Sequence, residues 1–206
     1  MNRTLVLATG NDHKRRELAG ILAGFEILVP GDLGVSFEFE ETGTTYLENA
    51  LGKGIALYRQ LAGSVGVHTV IADDSGLSVV ALDGAPGIHS ARYGSTAEGL
   101  LLSAAEKNGL VLSRMSGTGD RRASFVCCMV LVAGPSRFGA VQETWDGEIA
   151  ESPSSASGGF GYDPIFRLPE LGLTVADLSE EEKNRLSHRA RAARRILRLL
   201  KEESAD

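Results

Sequence analysis

The chain has little that ties it to an oxidising compartment or to a bilayer. Only two of its 206 residues are cysteine, and these are adjacent, Cys127 and Cys128. Neighbouring residues of a strand point to opposite faces, so the pair supplies neither a disulfide framework nor a thiolate metal site. That fits a reducing, cytoplasmic setting. The longest apolar run, Phe125–Ala133, has nine residues, against the roughly 20 that a membrane helix needs. Ahead of Thr9-Gly10-Asn11 the only apolar stretch is Leu5–Ala8, too short for the core of a signal peptide. No membrane partner is expected. Internal repeats and low-complexity tracts are absent. So is the Gly-x-x-x-x-Gly-Lys-Ser/Thr loop of the common nucleotide-binding fold.

What is there describes a globular protein: 43% hydrophobic, 23% charged and rich in glycine, with 25. Such a chain can bury a real core, and its length suits one domain spanning 1–206. The net charge of −6 conceals an asymmetry. Residues 1–182 carry 13 Lys/Arg against 24 Asp/Glu, a balance of −11, whereas residues 183–206 carry 8 against 3, a balance of +5. A basic block can mark a nucleic-acid-binding helix. The overall acidity and the lack of interleaved aromatics argue against nucleic acid here. The spacing instead predicts an amphipathic helix with Leu186, Ala190, Ala193, Leu197 and Leu200 as its apolar stripe. Arg191, Arg194, Arg195 and Arg198 fall on the opposite, solvated side. Arg189 falls at the edge of the stripe, which predicts a buried or ligand-facing side chain.

Periodicity gives a coarse map. Thr4–Ala8 and Ile27–Val29 read as strands, and Thr44–Leu61 as a helix with Tyr46, Ala50, Leu57 and Leu61 on one face. Val70–Ala72 reads as a strand ending at Asp73-Asp74-Ser75-Gly76, with Leu77–Leu82 extended beyond it. Glu98–Asn108 reads as a helix, Ala123–Ala133 as a long strand, and Ala140–Trp145 as its partner. Ser152–Gly161 is a loop. Ser179 with Glu182 forms a capping box, and Ser187 is placed to cap the last helix. Early alternation of strands and helices with a β-rich centre gives an α/β or mixed class.

Five clusters carry chemistry. Thr9-Gly10-Asn11-Asp12-His13-Lys14 lies between a strand and a helix, where free N–H groups and a lysine favour an anion. It reads equally as an ordinary capped turn. Glu40-Glu41 and Asp73-Asp74 are adjacent like charges that repel unless a cation or donors compensate. Their hard oxygens suit Mg²⁺, and their other reading is a solvated turn. Lys53 shares the apolar face of its helix, either snorkelling or aimed into an anion site. Gly158-Gly159-Phe160-Gly161-Tyr162-Asp163-Pro164 allows close backbone approach to a flat ligand, with Phe160 or Tyr162 stacking on a base, or else forms a hairpin packed by aromatics. Lys183 with Ser187-His188-Arg189 can reach phosphate or a base edge, or can simply begin a basic helix.

Taken in order, these segments resemble the inosine triphosphate pyrophosphatase family. The resemblance rests on Leu7-Ala8-Thr9-Gly10-Asn11 with Lys14, Glu40-Glu41-Thr42-Gly43 with Glu48-Asn49-Ala50, and Ile71-Ala72-Asp73-Asp74-Ser75-Gly76-Leu77. It continues through Gly84-Ala85-Pro86-Gly87 with Ser90-Ala91-Arg92-Tyr93, then Gly158–Pro164, then Glu182-Lys183 with Ser187-His188-Arg189. It implies a mixed α/β fold, elongated and two-lobed, with a long twisted central sheet and a cleft between the lobes. It further implies a Mg²⁺-dependent homodimer that hydrolyses ITP, dITP and XTP to the monophosphate and pyrophosphate. By the same resemblance Glu40 and Asp74 hold the metal, and Asp74 is the general base. Substrate contacts fall to Thr9, Gly10, Asn11, Asp12, His13, Lys14, Lys53, Ser75, Phe160, Gly161, Tyr162, Asp163, Lys183, His188 and Arg189. His13 departs from the glycine common at its position, and Tyr93–Arg122 matches weakly; neither is expected to touch the chemistry. Two rivals remain: a Maf-like septum-formation pyrophosphatase, which these motifs fit poorly, and a non-catalytic nucleotide-binding module, against which the retained carboxylates argue.

Overall fold

The structure, a computed structural model, describes residues 4–62, 69–95 and 100–202. It is mixed α/β. Seven strands pair in the order β2-β1-β3-β4-β5-β6-β7: β1 (Thr4–Leu7), β2 (Glu26–Leu28), β3 (Thr69–Val79), β4 (Arg122–Gly134), β5 (Arg137–Ile149), β6 (Phe166–Leu168) and β7 (Leu173–Thr174). Among the described residues five α-helices accompany them: α1 (Asp12–Ile21), α2 (Tyr46–Leu61), α3 (Ala104–Arg114), α4 (Glu180–Leu186) and α5 (His188–Glu202). The residues group into two compact units. One comprises Met1–Asp74, Cys127–Glu143 and Asn184–Asp206, and the other Ser75–Val126 and Thr144–Lys183.

In the first unit β1 pairs in parallel with β2 and with β3, Leu5 opposite Ile27 and Val6 opposite Val70. Alternation along these strands builds two apolar layers. Leu5, Leu7, Ile71, Cys127 and Met129 pack with Leu18 of α1 and with Ala192, Ala193 and Ile196 of α5. Val6, Ala8, Val70, Ala72, Cys128 and Val130 pack with Ala50, Leu57 and Leu61 of α2. Each fully buried aliphatic side chain stabilises by about 1.5–3 kcal/mol. Cys127 and Cys128 therefore do face opposite ways, both buried and free.

The phase expected for the last helix holds for the buried Ala190 and Ala193 and for its arginines, whereas Leu186 of the expected stripe belongs to α4. Arg189 is buried, and Arg191, Arg194, Arg195 and Arg198 are exposed. The side chains of Leu200 and Lys201 lie outside the described residues. The Ser187 hydroxyl accepts from the Ala190 N–H at 3.2 Å. Ser179 and Glu182 form the reciprocal capping box, the Ser179 N–H donating to Oε2 at 2.9 Å and the Glu182 N–H to the hydroxyl at 3.2 Å.

Two expectations need correction. The strand expected to end at Asp73 runs on through Asp74, Ser75 and Gly76 to Val79. No turn forms there: Asp73 is paired with Lys14 and Arg189 and Asp74 accepts from Asn49, so both side chains find partners inside the fold and the residues stay in the pleat. The helix expected over Glu98–Asn108 begins at Ala104 and runs to Arg114; of the expected stretch, residues 98–99 lie outside the described residues. Its start is fixed by Ser103, whose hydroxyl accepts from the Glu106 N–H at 3.3 Å while the Ser103 N–H donates to Glu106 at 2.7 Å. A capping box of this kind sets the first turn.

The second unit is anchored on Phe166. Its ring lies 4.3 Å from that of Phe125 and 6.3 Å from that of Trp145. At Gly147 a Cβ would come within 2.6 Å of both the Arg167 carbonyl and the Phe166 ring. Glycine is what lets β5 approach β6 there.

Candidate active site

The first unit holds Lys14, Glu40, Glu41, Lys53, Asp73, Asp74 and Arg189 of the charged residues singled out from the sequence. The Asn11 side chain caps α1, accepting from the N–H groups of His13 at 2.9 Å and Lys14 at 3.3 Å. Gly10, Asn11, Asp12 and His13 are exposed and Thr9 half-buried. The Thr9 hydroxyl accepts from the Asn11 N–H at 3.2 Å. The loop thus presents itself to solvent at a helix N-terminus, with part of its donor capacity spent on its own cap.

Lys14 turns inward. Its Nζ stands 3.0 Å from Asp73 Oδ2, and Arg189 Nε approaches the same oxygen at 3.3 Å. The Arg189 Nη1 also pairs with Glu17 Oε2 at 2.5 Å. Burial pushes the Asp73 carboxyl upward, but Lys14 and Arg189 overcome it and hold the group well below the usual carboxylate range. Burial works against the Arg189 charge too, and is outweighed by Asp73 and Glu17. Two α-helices and a strand are fastened together at this point, since Lys14 and Glu17 sit on α1, Arg189 on α5 and Asp73 on β3.

Asp74 faces the other layer. Its Oδ2 accepts from Asn49 Nδ2 at 3.0 Å, and the Asn49 Oδ1 accepts from the Gly43 N–H at 2.8 Å. Burial raises the Asp74 carboxyl above its ordinary value; Glu41 adds to the rise, and Asn49, Lys14 and Lys53 oppose it. Lys53, buried on α2, pairs with Glu41 Oε1 at 2.5 Å. Glu40 is exposed. Among the described residues no three His, Cys, Asp or Glu side chains gather as a metal-binding group. The Tyr46 hydroxyl is buried without a hydrogen-bond partner among the described residues. Burial first, then the Asp74 charge, pushes it upward.

The second unit holds the glycine-aromatic loop. The Asp163 carboxylate accepts from the Phe160 N–H at 2.7 Å and from Lys183 Nζ at 2.6 Å. The Lys183 ammonium also lies 4.3 Å from the centre of the Phe160 ring, a cation–π contact. Gly159 has φ +72°, and a Cβ there would run into the Asp163 carboxylate. Only glycine fits that tight approach. Phe160 is half-buried, whereas Tyr162 is buried and donates its hydroxyl to the Ser90 carbonyl at 2.9 Å. Of the two aromatics proposed for stacking, Phe160 alone keeps an accessible ring. Ser75 is half-buried on β3 of this unit, and His188 is buried at the start of α5 in the first.

Sequence reasoning overlooked four of these residues: Glu17, Glu41 as the partner of Lys53, Asn49, and Asn108, which donates to the Gly161 carbonyl at 3.1 Å. Glu41 and Asn49 lie inside motifs already singled out, Glu41 directly after Glu40 and Asn49 six positions beyond Gly43. Glu17 falls one helical turn after Lys14, a spacing that puts both on one face.

The Ham1 family model matches residues 5–199. A Treponema denticola protein named dITP/XTP pyrophosphatase is 50% identical over 197 residues, covering 96% of this chain and 98% of the relative. A Bordetella pertussis protein of the same name is 43% identical over 199 residues, covering 95% and 90%. The solved Ham1 protein of Staphylococcus aureus superposes with a TM-score of 0.81 at 38% identity, covering 98% of this chain and 99% of that one. One from Coxiella burnetii gives 0.83 at 35%, covering 97% and 98%. Family pattern, full-length relatives and fold converge, and the chain belongs to the Ham1 family.

Proposed function

We propose that the protein hydrolyses purine nucleoside triphosphates with a 6-oxo base, dITP, ITP and XTP, to the monophosphate and pyrophosphate. The near-full-length relatives named dITP/XTP pyrophosphatase support the substrate class. The observation that carries the chemistry is Asp74: a buried carboxylate whose Oδ2 is held by Asn49 Nδ2 at 3.0 Å, with Glu41, Lys14 and Lys53 close enough to act on it. A carboxylate fixed in this way can accept a proton from a water at a phosphate.

The donor set fits a hard cation. Carboxylate oxygens of Asp74 and a neighbouring glutamate, without sulfur or imidazole, are what Mg²⁺ accepts when phosphates and water supply the rest. Asp74 would hold it with Glu40 or Glu41; the coupling of Glu41 to Asp74 and its lower exposure favour Glu41. When bound, the ion supplies charge neutralisation at the phosphates and a lowered pKa for a coordinated water. Everything else falls to the chain. The α1 N-terminus and Lys14 attract phosphate oxygens, with Lys53 adding a second ammonium. Asp74 accepts the proton of the water that attacks the α-phosphorus. Asn49 holds Asp74 in its rotamer by spending one carboxylate oxygen on a hydrogen bond. Charge spreads over phosphoryl oxygens in the transition state, so fixed positive groups contribute most of the acceleration.

Base selection falls to Phe160–Asp163 and Lys183. A site built to donate to a 6-oxo group leaves that donor unpaired against an adenine amino group, a difference that discriminates strongly. Arg189, with its guanidinium committed to Asp73 and Glu17, acts through the Asp73 carboxylate it shares with Lys14 rather than on the base. The resemblance further suggests a homodimer working in the cytoplasm. No described helix is long and apolar enough to cross a membrane.

The test is a panel of triphosphates, dITP, XTP, dATP and dTTP, with Mg²⁺, scoring monophosphate and pyrophosphate separately. Fast dITP and XTP turnover with slow dATP is expected. Comparable rates for dATP and dITP would refute base selection, and preference for a pyrimidine triphosphate would refute the substrate class.

A further inference from the structure

We propose that Asn108 of α3 is a positioning residue for base selection, acting through the carbonyl of Gly161. The inference rests on the reading of Phe160–Asp163 as the base-recognising loop. Asn108 lies in the stretch of weakest resemblance, Tyr93–Arg122, which the sequence alone placed away from the chemistry.

Beside the turn in which the Asp163 N–H donates to the Phe160 carbonyl at 3.2 Å, and the Lys183–Asp163 pair, three side-chain hydrogen bonds hold the loop. The Asp163 carboxylate takes the Phe160 N–H, the Tyr162 hydroxyl donates to the Ser90 carbonyl, and Asn108 Nδ2 donates to the Gly161 carbonyl. The third matters most for conformation. Gly161 has φ +62° and a Cβ there would meet nothing within 4 Å, so the surroundings do not hold it sterically. Glycine crosses between backbone regions at little cost. The hydrogen bond from Asn108 is what fixes the way the peptide after Gly161 faces, one residue from the Phe160 ring.

Helix α3 is a firm platform for that bond. Asn108, Val111 and Met115 are buried on one face. The same helix grips the segment that carries Ser90: Lys107 Nζ donates to the Ala91 carbonyl at 2.9 Å, and Arg114 donates to the Tyr93 hydroxyl at 2.5 Å while its guanidinium lies 4.9 Å from the centre of the Tyr93 ring. The contacts close a circuit, from α3 to Ala91 and Tyr93, through Ser90 to Tyr162, and through Gly161 back to Asn108. Stability alone does not explain an asparagine here. Its Oδ1 is buried with no partner among the described residues, and an unsatisfied buried acceptor is costly where an apolar side chain would not be.

The experiment measures kcat and KM for dITP and dATP in wild type, Asn108→Ala, Asn108→Asp and Tyr162→Phe, with the thermal midpoint of each. The ratio of the two kcat/KM values is read, because it does not depend on the fraction of enzyme that is folded. Loss of one hydrogen bond of ordinary strength corresponds to about fivefold. Both Asn108 variants are expected to lower the dITP/dATP ratio by about that factor or more, mainly through a higher KM for dITP. Tyr162→Phe, which removes a single buried oxygen, is expected to lower it in the same direction. An unchanged ratio with a lowered thermal midpoint would make Asn108 purely structural and overturn the inference. If the Asn108 variants cannot be purified folded, an unchanged ratio in Tyr162→Phe overturns it as well. A wild type that does not discriminate would instead overturn the base-recognition reading on which this one rests.

Discussion

Asp73 and Asp74, adjacent in the chain, stand on opposite faces of β3 and are driven in opposite directions by their surroundings. Asp73 meets Lys14 and Arg189 in one layer and is held ionised; Asp74 meets Asn49 in the other, and burial raises it. The same substitution should therefore do different things at the two positions. Asp74→Asn keeps shape but loses the charge and the proton acceptor, so turnover is expected to fall by at least about 10²-fold with the thermal midpoint unchanged or higher. Asp73→Asn removes one partner of a buried ion network, which costs about 3–5 kcal/mol. Turnover and thermal midpoint for both variants decide it. A greater stability loss at Asp74 than at Asp73 would show the two faces to be assigned the wrong way round.

Acid should expose the Asp73 network. The carboxyl is depressed in the folded state, despite burial, by Lys14 and Arg189. Its contribution is thus present above the unfolded value of about 3.9 and lost as pH falls through the folded one. Thermal midpoints of the wild type are expected to drop more steeply between about pH 5 and pH 2 than those of Asp73→Asn. Parallel curves would contradict the assignment.

The arginines of α5 provide a contrast within one helix. Arg189→Ala leaves the buried Asp73 carboxylate, and the half-buried Glu17, short of a partner, and a loss of about 3–5 kcal/mol is expected. Arg195 is 62% exposed in its pair with Glu143, and Arg195→Ala should cost less than about 1 kcal/mol. Urea midpoints measure both, and turnover should follow the same order. Equal effects would defeat the phase argument.

Glu40 and Glu41 can be separated by metal titration. Glu41 pairs with Lys53 and acts on Asp74, while Glu40 is exposed. Glu41→Gln is expected to raise the Mg²⁺ concentration for half-maximal activity by about tenfold, the equivalent of some 1.4 kcal/mol, with Glu40→Gln close to wild type. The reverse order would return the second carboxylate to Glu40.

The sequence made much of this legible where a residue's role is local. Helical phase separated Arg189 from Arg191, Arg194, Arg195 and Arg198, the Ser179/Glu182 box appeared where expected, and strand alternation put Cys127 and Cys128 on opposite faces. What it obscured depends on distant partners. Asp73-Asp74-Ser75-Gly76 has turn composition, yet β3 passes through it because Lys14 and Arg189, 59 and 116 residues away in the chain, compensate Asp73. Tyr162 looked like a stacking ring until its hydroxyl met Ser90, 72 positions away. The start of α3 was a local signal passed over: Ser103 and Glu106 spell the capping box, but the apolar pattern pulled the expected helix toward the N-terminus.

The central claim is that water, deprotonated by Asp74, attacks the α-phosphorus of a 6-oxopurine triphosphate. Hydrolysis of dITP in ¹⁸O-labelled water tests it directly, with the products separated and weighed by mass spectrometry. The account predicts one ¹⁸O atom in the monophosphate and none in the pyrophosphate. Label in the pyrophosphate would place the attack on the β-phosphorus, and diphosphate with labelled orthophosphate would place it on the γ; either result contradicts the account.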